Sequence, residues 1–492
     1  MRKLLSLVCG ILLLTACTVG PNYTRPGVAV PAKFKETPKG WKIAQPNDVF
    51  DRGGWWRVFN DRQLNNLEDQ LNSSNQSIAT AEAQYRQARA LIDEARAAYY
   101  PILTGNVTVT RQRQVSGSTT FVSSSSSGIT SSGAASVGAG RSSSTSVRTS
   151  HAWFLDAEWE PDLWGSIHRS VEADVAGANA SAASLASIRL ASQATLAQTY
   201  FQLRALDRDQ QLLDNTVSEY KKSVQLTKNR YTAGVAPRGD VVQAQTQYET
   251  QQSTAINNHI GRAQFEHAIA VLIGKPASNF TIPPEPLLKN IPRLPILVPS
   301  ELLERRPDVA QAERLMAQAN AQIGIAVAAY FPTLTLAATA SQGHSGLNHW
   351  FSVPDIAWAV GPQLAQTIFD GGLRKATTDA ARANYDATVA SYRQTVLAAF
   401  QNVEDNLSSL RILQAQAVAA NKAAASSRLA LRLVTNQYKA GLVDYTSVIT
   451  AQTAAYTAEL TAFDITGLRM TSAVGLIKAL GGGWDVCELD AG

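Results

Sequence analysis

Two rhythms of apolar and polar residues run along this chain, and they predict different elements. Over four short stretches the alternation has a period of two, the mark of a strand with one apolar face. In the first, Leu103, Val107 and Val109 oppose Thr104, Asn106, Thr108 and Thr110. In the second, Trp153, Leu155, Ala157 and Trp159 oppose Asp156 and Glu158. The third sets Leu334, Leu336 and Ala338 against Thr333, Thr335 and Thr339, and the fourth groups Ile356, Trp358, Val360 and Leu364. Strands are expected at about 101–110, 151–160, 332–341 and 356–366. Each has roughly the 9–11 residues that a tilted strand needs to cross a bilayer. Aromatic residues gather near their ends, as in an interfacial girdle: Tyr99, Tyr100, Trp153, Trp159, Tyr330, Phe331, Trp350, Phe351 and Trp358. A soluble sandwich with one wet face is the competing reading.

The second rhythm is helical. From Gly165 to about Tyr231 there is no proline, and small or apolar residues recur at 182, 185, 196, 203, 206, 213, 217, 220 and 224. That spacing is close to 3.5 residues, the period of a coiled coil. A helix this long spans ~100 Å. The stripe is narrow and surrounded by Gln, Asn and Arg, which suits a thin wall beside water better than a bulky core. The stretch from Gly371 to about Gln437 is its counterpart, and a shorter helix, Asp240 to about Ile273, follows the first.

The two halves of the chain repeat one another. "YTAGVAPRGDVVQAQT" (231–246) returns as "YKAGLVDYTSVITAQT" (438–453), 207 residues later. "YYPILTGNVTVT" is echoed by "YFPTLTLAATAS", "PDLWGSIHRS" by "TIFDGGLRKA", and "VLIGKP" by "KALGGG". A Ser- and Gly-rich insertion, 112–150, separates the first pair of strands. Each half reads as helix, strand, loop, strand, long helix, turn, helix. The expected division is 62–273 and 301–480 for the two repeats, 274–300 for a Pro-rich linker and 481–492 for a tail.

The N-terminus changes the compartment. Arg2 and Lys3 precede the apolar run 4–14, which is too short to span a bilayer, so 1–16 reads as a secretory signal. The string Leu14-Thr15-Ala16-Cys17 is similar to a bacterial lipobox, in which Cys17 becomes the first mature, acylated residue. By resemblance to lipoprotein sorting, Thr18 rather than Asp in the next position favours the outer membrane over retention in the inner one. The segment 17–61 is then a lipid-anchored extension. Only Cys487 remains of three cysteines, so no intrachain disulfide is expected. The net charge of +5 includes the two signal residues, and the basic residues form no stripe, so nucleic acid is not an expected partner.

Four strands limit the architecture. An open sheet edge is not tolerated in hydrocarbon, where each unpaired amide costs several kcal/mol. The smallest natural barrels have about eight strands. If these strands cross a membrane, several chains must build one barrel.

"WWRVFNDRQLNNL" (55–67), "VPSELLERRPDVAQAE" (298–313), "AAYFPTL" (328–334), "TIFDGG" (367–372) and "KALGGGW" (478–484) carry a resemblance. The chain is similar over nearly its whole length to the outer membrane efflux lipoproteins, the OprM and NodT branch of the TolC-like outer membrane factors. The resemblance implies a mainly α fold with a small β part. It further implies a homotrimer sharing a twelve-stranded transmembrane barrel above a long periplasmic helical barrel. It implies the exit duct of a tripartite pump of the RND type, with a periplasmic adaptor and an inner-membrane transporter as partners. By the same resemblance, Ala233, Gly234, Val235, Ala440, Gly441 and Leu442 are adaptor-docking tips. In relatives an Asp and an Arg after the second tip help close the pore; here Thr450 and Thr453 stand in those places, with Thr446 at an apolar gate position and Tyr438 retained. Asp444 or Asp240 is the expected substitute.

Other classes find less support. The six histidines include no HExxH or similar ligand spacing, "GHSG" lacks a full nucleophile elbow, and no phosphate loop or CxxC occurs. No enzyme activity, metal or cofactor is therefore expected. A periplasmic coiled-coil scaffold or adaptor, or a channel of a type I-like secretion system, are the alternatives. The exported compounds are not legible, because a wide wet duct selects little.

Overall fold

The computed structural model describes residues 18–28, 31, 33–36, 54–117, 143–286, 306–344 and 356–482. The first repeat holds helices α1 (Arg62–Ser74) and α2 (Gln76–Ala97), strands β1 (Ile102–Gly117) and β2 (Ser143–Trp159), and helices α3 (Ser166–Thr232) and α4 (Arg238–Leu272). The second holds α5 (Pro307–Ala328), β3 (Thr333–His344), β4 (Ala357–Ala365), α6 (Leu373–Lys439) and α7 (Tyr445–Ala479). The duplication survives in the lengths: α3 and α6 have 67 residues each, α4 and α7 have 35, and α2 and α5 have 22. The signal 1–16, Cys17, the middle of the Ser- and Gly-rich insertion (118–142), the Pro-rich linker from 287 on with 301–305, the pair Trp350 and Phe351, and the tail from 483 lie outside the described residues.

By chain contacts the molecule divides into two compact units. The first contains the sheet, residues 93–171 and 324–378, and the N-terminal stretch up to Gly20. Its four strands are antiparallel in the order β1-β2-β3-β4. Register sorts their side chains into two faces, since directly paired residues point the same way. One face carries Leu103, Val107 and Val109, then Trp153 and Leu155, and on β4 Val360 and Leu364. The other carries Thr104, Asn106 and Thr108 with Asp156, Glu158 and Thr339. The apolar face is bare: Leu103, Val107, Val360 and Leu364 are each more than 60% exposed. Outer strands β1 and β4 each pair on one side only.

Strands β1 and β2 run further than their apolar alternation. β1 continues to Gly117 and β2 starts at Ser143, so the ladder takes up both flanks of the Ser- and Gly-rich insertion. The expected ends near 110 and 151 marked where the regular apolar alternation stops, although Val115 and Val147 lie beyond them. Ladder hydrogen bonds belong to the backbone and continue without that alternation.

Sharp strand-to-helix corners explain another repeated motif. Asp162 accepts a hydrogen bond from the His168 amide (2.7 Å) at the start of α3. Asp370 accepts from the Gly372 (2.9 Å) and Arg374 (3.2 Å) amides at the start of α6. Both carboxylates satisfy helix N-terminal donors that would otherwise be orphaned. The N-terminal stretch is pinned at the first corner. The Val19 amide donates to the Trp164 carbonyl, and the buried Arg169 donates to the carbonyls of Val19 and Gly20. Gly20, at φ +100°, lies so close to Gly324 that an added Cβ would come within 2.6 Å of its Cα.

The second unit holds the apolar core. Trp55, Trp56, Phe59, Leu64, Leu67 and Leu71 pack with Tyr200, Phe201 and Leu203 of α3, Val396 and Val403 of α6, and Val474 and Ile477 of α7. The "WWRVFNDRQLNNL" motif is therefore a plug of core residues. Asp61 does two jobs: it caps α1 through the Gln63 and Leu64 amides and accepts from the Tyr200 hydroxyl at 2.7 Å. Buried Asp207 lies between Arg204 (3.0 Å) and Arg262 (2.7 Å), whose remaining donors reach the carbonyls of Pro283 and Ile282. That network clamps Ile282 and Pro283 of the Pro-rich linker to α3 and α4. Along the same unit the N-terminal stretch is bound stepwise. Asn320 donates to the Pro21 carbonyl, Arg25 pairs with Glu313, and the Lys35 and Glu36 amides donate to the Glu404 carboxylate.

Candidate functional site

The two repeated turns have one backbone solution. At the end of α3 the Val235 amide donates to the Arg230 carbonyl (3.0 Å) and the Gly234 amide to the Tyr231 carbonyl (2.9 Å). At the end of α6 the Leu442 amide donates to the Gln437 carbonyl (3.0 Å) and the Gly441 amide to the Tyr438 carbonyl (2.9 Å). This is a Schellman closure, which requires a left-handed residue just past the helix. Gly234 (φ +72°) and Gly441 (φ +78°) provide it. Val235 and Leu442, next in line, are 62% and 75% exposed. Each tip thus presents one bare aliphatic side chain on a rigid turn. A cleft of about 480 Å³ beside the first tip is lined by Lys228, Tyr231, Arg238, Val242 and Glu249.

Below the turns the hairpins are joined by a polar cluster. The Tyr438 hydroxyl donates to Asp240 Oδ2 at 3.1 Å. The Arg230 guanidinium lies 4.7 Å from the centre of the Tyr438 ring, and its Nη1 donates to the Lys439 carbonyl at 2.9 Å. Tyr445 packs edge-on against Tyr438 with ring centres 5.3 Å apart, and Val224, Ala244 and Val448 close the small apolar cluster around them. Burial, and then the Asp240 carboxylate, push the Tyr438 hydroxyl up to about 12, so it stays a neutral donor at neutral pH. A cation over the ring and a carboxylate on the hydroxyl both strengthen the contact.

Of the candidate gate residues, Tyr438 and Asp240 meet and the others do not join them. Asp444 is exposed and caps α7, accepting from the Ser447 amide (3.0 Å) and hydroxyl (2.9 Å). The Ser447 amide holds its carboxyl below the usual carboxylate range. Thr450 donates back to the Thr446 carbonyl on its own helix, and Thr453 accepts from Gln247 at 3.3 Å. Arg230 was not legible as a partner. Its only trace in the sequence is a cation one turn before Gly234.

Most aromatic candidates sit at strand ends, whereas Trp153 lies within β2, opposite Val107 and Gln342. Tyr99, Tyr100, Trp159, Tyr330, Phe331 and Trp358 are all exposed. Trp159 Nε1 donates to the Tyr99 carbonyl at 2.9 Å, and Trp153 Nε1 to Gln342 Oε1 at 3.1 Å. Trp164, which the sequence pattern did not mark, stacks on Phe331 at 4.8 Å and donates to the Pro332 carbonyl.

The profile of the family described as "Outer membrane efflux protein" matches residues 67–275 and 298–482. The chain belongs to the outer membrane efflux protein family. The two matched segments follow the two repeats. The protein is similar to the probable efflux pump outer membrane protein TtgC of Pseudomonas putida, 29% identical over 98% of this chain and 96% of the relative. It is similar also to the cation efflux system protein CusC of Escherichia coli K12, 26% identical over 96% of this chain and 98% of the relative. Among solved structures it resembles the outer-membrane channel OprN, with a TM-score of 0.83, 28% identity and coverage of 95% of this chain and all of that one. The fold is that of the TolC-like channels, and the protein is an outer membrane efflux channel. None of its described helices is long and apolar enough to cross a membrane. Its bare apolar face lies on the sheet.

Proposed function

We propose that three copies of this chain form the exit duct of a tripartite efflux pump of the kind driven by an RND transporter, carrying drugs or other small molecules across the periplasm and outer membrane. Outer membrane factors form trimers and work with adaptor and inner-membrane pump partners. One observation carries the reading for this chain: a four-stranded sheet with a bare apolar face and both outer strands unpaired on one side. Hydrocarbon does not tolerate open edges, so β1 of one copy pairs with β4 of the next until the sheet closes. Acylated Cys17 anchors the duct. The pinning of Val19 and Gly20 beside the first strand-to-helix corner supports this, because it holds two residues close after Cys17 in the chain next to the sheet.

In this reading Val235 and Leu442 are the apolar pegs on which the adaptor docks, and the Tyr438–Asp240–Arg230 cluster holds the periplasmic end closed. The test combines assembly with transport. Purified protein is expected to run as a heat-sensitive trimer that conducts ions across a planar bilayer, and the deletion strain to become drug-susceptible. Val235→Asp with Leu442→Asp is expected to leave the trimer intact and abolish both adaptor cross-linking and complementation. A monomer that needs no detergent and passes no current would overturn the duct. Cross-linking that survives the double substitution would overturn only the docking assignment.

A further inference from the structure

The register of the sheet places two arginines where an outer-leaflet headgroup would lie. Arg111 and Arg113 continue the series Leu103, Gly105, Val107 and Val109 on β1, and so share its apolar, outward face. Opposite them on β2 stand Thr149 and Val147. No acidic residue occurs on that face among the described side chains; Asp156 and Glu158 belong to the other one. Arg111 and Arg113 are both exposed, and neither has an ion pair or hydrogen bond among the described residues.

Height decides what they meet. A strand rises ~3.4 Å per residue, and barrel strands tilt by about 40°. Measured from Ile102, at the helix end of β1, Arg111 then stands about 23 Å and Arg113 about 29 Å along the membrane normal. The apolar band of an outer-membrane barrel is about 25 Å tall. The two guanidinium groups therefore bracket its far edge, beyond Val109 and away from the end of β1 at Ile102. Cations held at that level, with long stems over an apolar surface, face lipid phosphates.

We propose that Arg111 and Arg113 form a docking site on the outer rim of the barrel for phosphate-bearing lipid headgroups of the outer leaflet. The planar guanidinium matches phosphate in a two-pronged contact that an ammonium group does not reproduce. The inference rests on the shared-barrel reading, because only in a closed barrel does this face meet lipid. The site would fix the depth of the barrel at its upper edge, as the Cys17 anchor does from below.

The experiment uses the full-length trimer reconstituted in phosphatidylcholine alone, or mixed with phosphatidylglycerol or with diphosphorylated lipid A. The readouts are the temperature of trimer dissociation and the lipid retained per trimer by native mass spectrometry. Anionic lipid is expected to be retained and to raise the dissociation temperature. Arg111→Gln with Arg113→Gln is expected to weaken retention about fivefold per arginine. The paired Lys variants should keep part of the effect, which separates lost charge from a misfolded barrel. Inorganic phosphate should do nothing, since it brings no acyl chain. Equal retention by wild type and the Gln pair would overturn the proposal, as would stabilisation by free phosphate. A protein that forms no membrane-inserted trimer in any lipid would instead defeat the shared barrel, and this site with it.

Discussion

The two helical tips share a backbone and differ in nearly every side chain that matters. Their Schellman closures superimpose bond for bond, 207 residues apart. Yet Tyr231 is 48% exposed, whereas its counterpart Tyr438 is 2% exposed and bonded to the other hairpin. Arg230 corresponds to Gln437, and Asp240 to Ser447. The first hairpin supplies a cation and a carboxylate, and the second supplies the phenol between them. Duplication fixed the turn, because only a glycine at positive φ reverses the chain there. The flanking residues differ, so the two hairpins bond to each other unequally, and in the proposed function they are the two sides of a latch. A symmetric pair would have offered two exposed tyrosines and no phenol bonded to the carboxylate of the other hairpin.

The largest expected effect tests that asymmetry directly. Tyr438→Ala removes a buried ring packed on Tyr445 and should destabilise the tip by about 3 kcal/mol, near the low end for aromatic truncations. Tyr231→Ala, at the equivalent place in the repeat, should stay within about 0.5 kcal/mol, as for other exposed positions. Hydrogen exchange of the α7 amides reads both. Equal losses would mean that the tips are still equivalent.

Removing only the hydroxyl sharpens the point. Tyr438→Phe keeps the ring under Arg230 and deletes the bond to Asp240, a charge-assisted contact worth about 1.5–3 kcal/mol. Resting conductance through the closed duct should rise, while trimer assembly is unchanged. The same bond predicts a pH window. Burial and the Asp240 carboxylate raise the Tyr438 hydroxyl above its ordinary value of 10.0 to about 12. The neutral phenol is the form the fold prefers, so its contribution is complete below pH 10 and is lost as pH climbs toward 12. Tyr445, also pushed up to about 12 by burial, loses its contribution over the same range. The α7 amides should lose protection in that window, and Tyr438→Phe should remove the Tyr438 part of the loss.

The turn glycines test the shared half of the comparison. Gly234→Ala and Gly441→Ala each force a Cβ into the left-handed region, at about 1–2 kcal/mol. Gly234 has nothing within 4 Å of that Cβ, and Gly441 only the tip of Arg230 at 3.9 Å, so strain alone should act and the two costs should match. Unequal costs would show that the backbones are less alike than their hydrogen bonds.

The sequence carried the elements further than it carried the contacts. Period-two alternation located all four strands, because a half-buried strand must sort its side chains by face. It missed the outer ends of β1 and β2, where Ser, Thr, Gln and Arg continue a ladder that needs only backbone groups. Absence of proline and a glycine at each end gave the long helices and their turns. Across hairpins the pattern was silent. Nothing local says that Arg230 reaches the Lys439 carbonyl 209 residues away, or that Gly20 must be glycine because Gly324 lies against it. Such pairings are products of the tertiary fold, and one chain read alone holds no record of them. The gate candidates divide on the same line. Tyr438 carried a repeat signature, whereas the choice between Asp240 and Asp444 depended on which carboxylate faces the other hairpin.

That choice supplies the smallest effect and the narrowest test. Asp444 stands where the first tip has Pro237, and each starts its helix by different means. Pro237 sets an extended φ of −75° and makes no side-chain cap, while Asp444 accepts from the Ser447 amide and hydroxyl. Its Oδ1 is engaged along its own helix and no bond to the other hairpin is seen among the described residues, so the proposed closure assigns the pore to Asp240 instead. Asp444→Ala should therefore loosen only the first turn of α7, seen as faster exchange at Ser447, and leave conductance at the wild-type level. Asp240→Asn, which strips the charge that Tyr438 meets, should raise conductance instead. A rise with Asp444→Ala and none with Asp240→Asn would transfer the latch from the contact between hairpins to the rim of the second tip, and the asymmetry of the two tips would then lie in their helix starts.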